Sequence, residues 1–139
     1  MEAFPLPEIQ FGRTVHFRAS HFYRLPEKSE AENRARFGPV AEPHEHDYHV
    51  TVWLAGPLHA PEMMAVDLVQ VDAVLQREIV EKFNGQCLNE ADPFFAHHLP
   101  TNEALCAYLA ERLAPALQPA HLRKIRVAEH PDLFAEWQS

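Results

Sequence analysis

His44-Glu45-His46-Asp47-Tyr48-His49-Val50-Thr51-Val52-Trp53-Leu54 alternates, its even-numbered positions reading His, His, Tyr, Val, Val, Leu. Residues two apart in a strand share a face, so His44 and His46 lie on the face that Val50, Val52 and Leu54 turn toward a core. An earlier run keeps the same period. Ile9, Phe11, Val15, Phe17, Ala19 and His21 share one phase, and only Arg13 breaks it. Two strands paired with these phases inward bring the imidazoles of His21, His44 and His46 to one end of a half-buried face. Three neutral imidazoles with an open fourth position are a usual ligand set for catalytic zinc. The plainer alternative is that each is a hydrogen-bonded core histidine, because H-x-H spacing alone is common.

At 139 residues the chain has room for one domain, 1–139, with a real core. A formal net charge of −8, with no basic stripe to offset it, argues against a nucleic-acid partner or an anionic membrane surface. No apolar run approaches the roughly 20 residues that span a bilayer. Met1-Glu2-Ala3-Phe4-Pro5 lacks the charged-then-apolar pattern of a signal peptide. Cys87 and Cys106 have neither metal-type nor disulfide-framework spacing and read as reduced thiols, so the cytoplasm is the expected compartment.

Between the strand-like runs, Arg24 to Pro43 is charged and irregular, with room for a short helix over Ser29 to Arg36 capped by Ser29. Gly56-Pro57 stops the second strand, and Pro57 to Pro61 is a turn or loop. Asp67 precedes a helix with Leu68, Val71, Leu75 and Ile79 on one face, Gln70 in capping-box position and Gly85 as its stop. A second helix starts at Pro100-Thr101 with Thr101 as N-cap, buries Leu105, Tyr108, Leu109 and Leu113, and ends at Pro115. Leu122 to Ala128 reads as a strand, and Leu133 to Trp137 as a last short one. Strand, strand, helix, helix, strand, strand without β-α alternation predicts an α+β fold, an antiparallel four-stranded sheet with two helices on one face.

Glu129 repeats the argument of the histidines, in phase with Ile125 and Val127 on the face expected to be buried. An unpaired buried carboxylate is costly, so it needs a partner. Arg123, Arg126 or a backbone N–H pair would make it structural. A ligand with two N–H groups side by side, as on a pterin or guanine ring, would make it functional.

Several segments then resemble one family, in order along the chain. Phe17-Arg18-Ala19-Ser20-His21 resembles F-x-A-x-H, and Arg36-Phe37-Gly38-Pro39 followed by His44-Glu45-His46-Asp47-Tyr48 resembles F-G-x-C leading to H-G-H-N-Y. Met64-Ala65-Val66-Asp67-Leu68 resembles M-V-x-D-F, and Leu88-Asn89 an L-N that follows a D-H pair. Pro100-Thr101-Asn102-Glu103-Ala104-Leu105 resembles P-T-x-E-N-L, and Val127-Ala128-Glu129 a terminal V-x-E. The chain thus resembles the 6-pyruvoyltetrahydropterin synthase/6-carboxytetrahydropterin synthase family of the tunnelling fold. That resemblance implies a zinc-dependent lyase acting on a dihydroneopterin-type substrate, with Zn2+ on His21, His44 and His46. It implies that Glu129 grips the pterin ring, with Thr101 and Glu103 lining the same pocket. It also implies a homo-oligomer built on trimers, or on pairs of trimers as a hexamer, whose sheets form a barrel with the pocket between subunits.

The resemblance fails where the family keeps its acid–base groups. The cysteine position is Val40, and the aspartate–histidine pair falls on Asn84-Gly85. Two expectations follow. Either the site is rebuilt, with Glu42, His97 or His98 as replacement base, or the chain binds zinc and pterin without the family's reaction.

Overall fold

The computed structural model describes residues 6–139, so the reading of Met1 to Pro5 lies outside the described residues. Its frame is one antiparallel sheet of four strands in the order β1-β2-β3-β4, formed by Glu8–His21, His44–Pro57, His121–His130 and Leu133–Gln138. β1 and β2 pair without a slip from Glu8↔Pro57 to His21↔His44, because a two-residue period on both strands, interrupted only at Arg13, fixes one register. Phe17, Ala19, Tyr48, Val50, Val52, Leu54, Ile125 and Val127 are buried on the inner face.

Two helical stretches cover that face, as the sequence led us to expect. The first begins with α2 (Leu68–Leu75), widens through a π-helical turn at Gln76–Val80 and finishes as α3 (Glu81–Phe83). The other is α6 (Asn102–Ala116). Val71, Leu75, Ile79, Leu105, Leu109 and Leu113 pack with the strands into one hydrophobic cluster. Arg13, the residue that breaks the β1 pattern, holds the covering helix, its guanidinium donating to both oxygens of Asp72 at 2.8 and 3.1 Å.

Several details differ from the sequence reading. Asp67 caps α2 by accepting from Val69 N and Gln70 N. Gln70 does not reach back to it; its amide donates to the carbonyls of Ala116 and Gln118 and ties the start of α2 to the end of α6. Pro115 sits inside the last turn of α6 rather than ending it, and the helix runs on to Ala116. The segment between the helices is not plain loop: α4 (Leu88–Ala91) and α5 (Phe94–His97) are single turns there. The stretch before β2 folds as expected into α1 (Glu30–Phe37), where Ser29 and Glu32 form a reciprocal capping box.

Asp92 joins these layers. Its carboxylate accepts from Tyr108 Oη at 2.9 Å and the Phe94 N–H at 2.9 Å, and pairs with Lys82 at 2.8 Å. Burial opposes ionisation, yet Lys82, the Phe94 amide and Tyr108 together hold its pKa down to about 2, from an ordinary 3.8. A depressed carboxylate adds stability above its unfolded pKa and loses it as pH falls through the folded one. Asp92→Asn is therefore expected to cost about 1–3 kcal/mol at pH 7. The gap to wild type in urea titrations should close between pH 4 and pH 2.

Candidate functional site

The register of β1 and β2 sets His21 directly opposite His44, and His46 opposite the small Ala19. The three imidazoles meet there, with ring centroids 4.5 Å apart for His21–His44 and 5.0 Å for both His21–His46 and His44–His46. One ligand nitrogen from each ring lies within 4.8 Å of the other two.

Hydrogen bonds orient two of the rings. His21 has no exposure to solvent, and its Nδ1 is 2.9 Å from the Pro100 carbonyl and 3.0 Å from Tyr48 Oη. A carbonyl only accepts, so Nδ1 carries the proton and Nε2 keeps its lone pair. His44 repeats this, its Nδ1 donating to the Glu42 carbonyl at 2.8 Å. Burial pushes the His21 pKa down to about 4, assisted by its two neighbouring imidazoles against the Pro100 bond. Burial also lowers His46, opposed by the Glu129 carboxylate. Neutral rings are what a metal needs.

The fit to a metal rests on orphaned atoms. His21 Nε2 and His46 Nε2 are buried and have no hydrogen-bond partner. Such groups are expensive unless something binds them. A divalent cation between the rings would use both lone pairs, so these residues fit a metal centre.

Glu129 reaches the same place from β3. The β3–β4 ladder shifts register between Ala128 and His130, which leaves Glu129 as the extra residue, buried with its Oε2 2.7 Å from His46 Nε2. Neither arginine considered from sequence pairs with it: Arg126 lies over the Phe134 ring at 3.7 Å, and Arg123 reaches Glu8 at 3.4 Å. Asn102, which the sequence reading passed over, donates from Nδ2 to Glu129 Oε1 at 3.0 Å. Its only signal was its place beside the Thr101 cap.

Tyr23 was also passed over. Two residues past His21, it places its ring 4.9 Å from His21 and 6.2 Å from His44. Burial, then the charges of Glu129 and Glu103, raise its pKa, so it stays a neutral O–H donor. A cleft of about 560 Å3 opens beside His46 and Glu129, bordered by Arg18, His49 and Arg126.

Among the described residues, no side-chain hydrogen bond joins the other candidates to the imidazoles, and Glu42 meets His44 only through its carbonyl. Thr101 spends its hydroxyl on the α6 cap, accepting from Ala104 N at 3.0 Å, and Glu103 is exposed. Glu42 is exposed and held by Arg34 at 2.6 Å and Arg24 at 2.9 Å. Those arginines, Arg34 first and against some burial, keep its carboxyl below the usual range, which weakens it as a base. His98 stacks on Phe94 at 4.2 Å and bonds the Phe94 carbonyl, while His97 is exposed; both border a different cleft. Asn84 and Gly85 are committed to the backbone. Asn84 Oδ1 accepts from Arg18 N at 3.0 Å, and Gly85, at φ 76°, donates its N–H to Arg18 O at 2.7 Å.

Fold and cluster together define an α+β protein with three histidines gathered on one sheet face beside a buried carboxylate. The family model described as 6-pyruvoyl tetrahydropterin synthase matches residues 10–139, and the chain belongs to that family. Human 6-pyruvoyl tetrahydrobiopterin synthase is 27% identical over 124 residues, spanning 88% of this chain and 86% of that protein. The Drosophila melanogaster enzyme of the same name is 25% identical over 128 residues, spanning 90% and 76%. The structure of Caenorhabditis elegans 6-pyruvoyl tetrahydropterin synthase matches at a TM-score of 0.88 and 24% identity over 99% of both chains, so the fold is the tunnelling fold. Membership supports a tetrahydropterin synthase-type function.

If the cluster holds a metal, zinc at about 100 times its Kd should raise Tm by roughly 5–10 °C, and a chelator should reverse the shift. His44→Ala and His46→Ala should abolish it. An unchanged wild-type melting curve would count against the site.

Proposed function

We propose that the protein is a zinc-dependent lyase of the 6-pyruvoyl/6-carboxytetrahydropterin synthase class, acting on a dihydroneopterin-type substrate. The observation that carries this reading is the convergence of His21, His44 and His46 beside the buried Glu129 in a chain of this family. His21, His44 and His46 hold the zinc, which when bound polarises hydroxyl and carbonyl oxygens of the substrate's side chain. Glu129 accepts two N–H groups from the edge of the pterin ring. Asn102 steadies that carboxylate through its Oε1 bond. Thr101 and Glu103 stand at the start of α6, where they flank the ring.

A second reading has its own support. Val40 cannot exchange a proton, Asn84 and Gly85 are engaged with β1, and Glu42 is tied by two arginines. These features favour a zinc- and pterin-binding protein without the synthase reaction. Zinc-loaded protein incubated with dihydroneopterin triphosphate, with product followed by chromatography against a His46→Ala control, separates the two. Turnover lost in the control supports the lyase. Quenching of pterin fluorescence without turnover supports the binder, and neither signal rejects both.

We also propose a trimer-based homo-oligomer in the cytoplasm. β1 and β4 are the sheet's edges; exposed Ile9, Met63, Met64 and Leu68 line one cleft with Phe11 of β1, exposed Val69 follows Leu68, and exposed Leu133 and Phe134 lie on β4. Among the described residues no helix is long and apolar enough to cross a membrane. Light scattering should report three or six chains per particle, and Val69→Glu with Phe134→Asp should shift the mass toward the monomer.

A further inference from the structure

Glu129 is a buried carboxylate with no lysine or arginine paired to it among the described residues. Among the described residues, the side chains within ion-pair reach are those of His21 and His46. Its two oxygens face different ways. Oε1 accepts from Asn102 Nδ2 at 3.0 Å, while Oε2 lies 2.7 Å from His46 Nε2 and 3.9 Å from His21 Nε2.

The Oε2 contacts are close but are not hydrogen bonds. Both Nε2 atoms are without a hydrogen-bond partner, so no N–H is aimed at the carboxylate despite the short separation. The His21 proton is on Nδ1, bonded to the Pro100 carbonyl, so Nε2 presents a lone pair. Two electron-rich atoms this near, sharing no proton, are arranged as neighbouring ligands of one cation. Around a four-coordinate ion with bonds near 2.0–2.1 Å, ligand atoms lie about 3.3 Å apart. The distances of 2.7 and 3.9 Å fall on either side of that spacing. Charge agrees with geometry. Three neutral imidazoles leave a dication uncompensated in a half-buried place, and one carboxylate removes half of that charge.

We propose that Glu129 is a further ligand of the metal held by His21, His44 and His46 while the site is free of substrate, and that it leaves the metal when a pterin ring takes the same carboxylate. The second half rests on the pterin reading above; the first does not. One side chain then links two events. An empty site keeps its metal capped, and arrival of the ring uncovers the coordination position that the substrate's oxygens need. Asn102 is the pivot, holding Oε1 while Oε2 changes partner.

The test uses the cobalt(II) form of the full-length protein, whose visible bands report coordination, and compares wild type with Glu129→Gln. Competition with a chromophoric chelator should show the variant binding cobalt at least about 10-fold more weakly. Its bands should differ from those of wild type. Adding neopterin should move the wild-type bands toward those of the variant and leave the variant's own bands in place. Equal affinities and superimposable spectra would overturn the proposal. A wild-type spectrum indifferent to neopterin, while neopterin fluorescence is quenched, would overturn the exchange of partners. Absence of quenching would sink the pterin reading and the exchange together, with the cobalt affinities still deciding the ligand role. Should Glu129→Gln fail to fold, Glu129→Asp, which keeps the charge but shortens the reach, takes its place in the chelator competition, and affinity equal to wild type would overturn the proposal.

Discussion

The bond from the His21 imidazole to the Pro100 carbonyl ties the sheet to the start of α6, and the site is built around it. A ring with no solvent exposure needs a partner for each nitrogen, and the protein supplies one for Nδ1 while leaving Nε2 without a hydrogen bond. The Pro100 carbonyl accepts the hydrogen bond from Nδ1–H, which leaves Nε2 free to face His44 and His46. The same bond anchors the residue before Thr101, so the cap of α6 and the adjacent Asn102 arrive beside Glu129. Loss of this bond would free the ring that fixes the other two.

The departures from the family pattern share a physical character. At Val40, Asn84 and Gly85, where the resemblance implies acid–base groups, the chain has a valine whose carbonyl accepts from Tyr23 N and two residues bonded to the Arg18 backbone. At Glu42 a carboxylate is present, but two arginines hold it ionised and weakly basic. On the proposed reading, the groups that would grip metal and ring are present and the groups that would move protons are altered. Tyr23, held neutral by burial and nearby negative charge, adds an O–H donor next to the imidazoles.

How far the sequence could be read depended on the range of the interactions. The sheet was legible because an alternating period in β1 and β2 allows one register, and a slip by one residue would expose every core side chain. His21, His44 and His46 were legible for the same reason, as in-phase residues at the matching ends of two paired strands. Helix starts were legible at Asp67 and Thr101, whose side chains act within three residues. The turns at Leu88–Ala91 and Phe94–His97 were not, being too short to show a helical period.

By itself, then, the sequence determined the α+β order, the strand phases and the gathering of three histidines on the inner face, all consequences of local periodicity. Tertiary structure alone decided the partners of the polar groups. Arg13 reaches Asp72, Gln70 turns to the end of α6, Asn102 takes Glu129, and Glu129 approaches His46 without a shared proton. Each of these contacts joins residues far apart in the chain. Their geometry depends on how helices settle on the sheet and on a register shift in β3, and no periodic pattern encodes either.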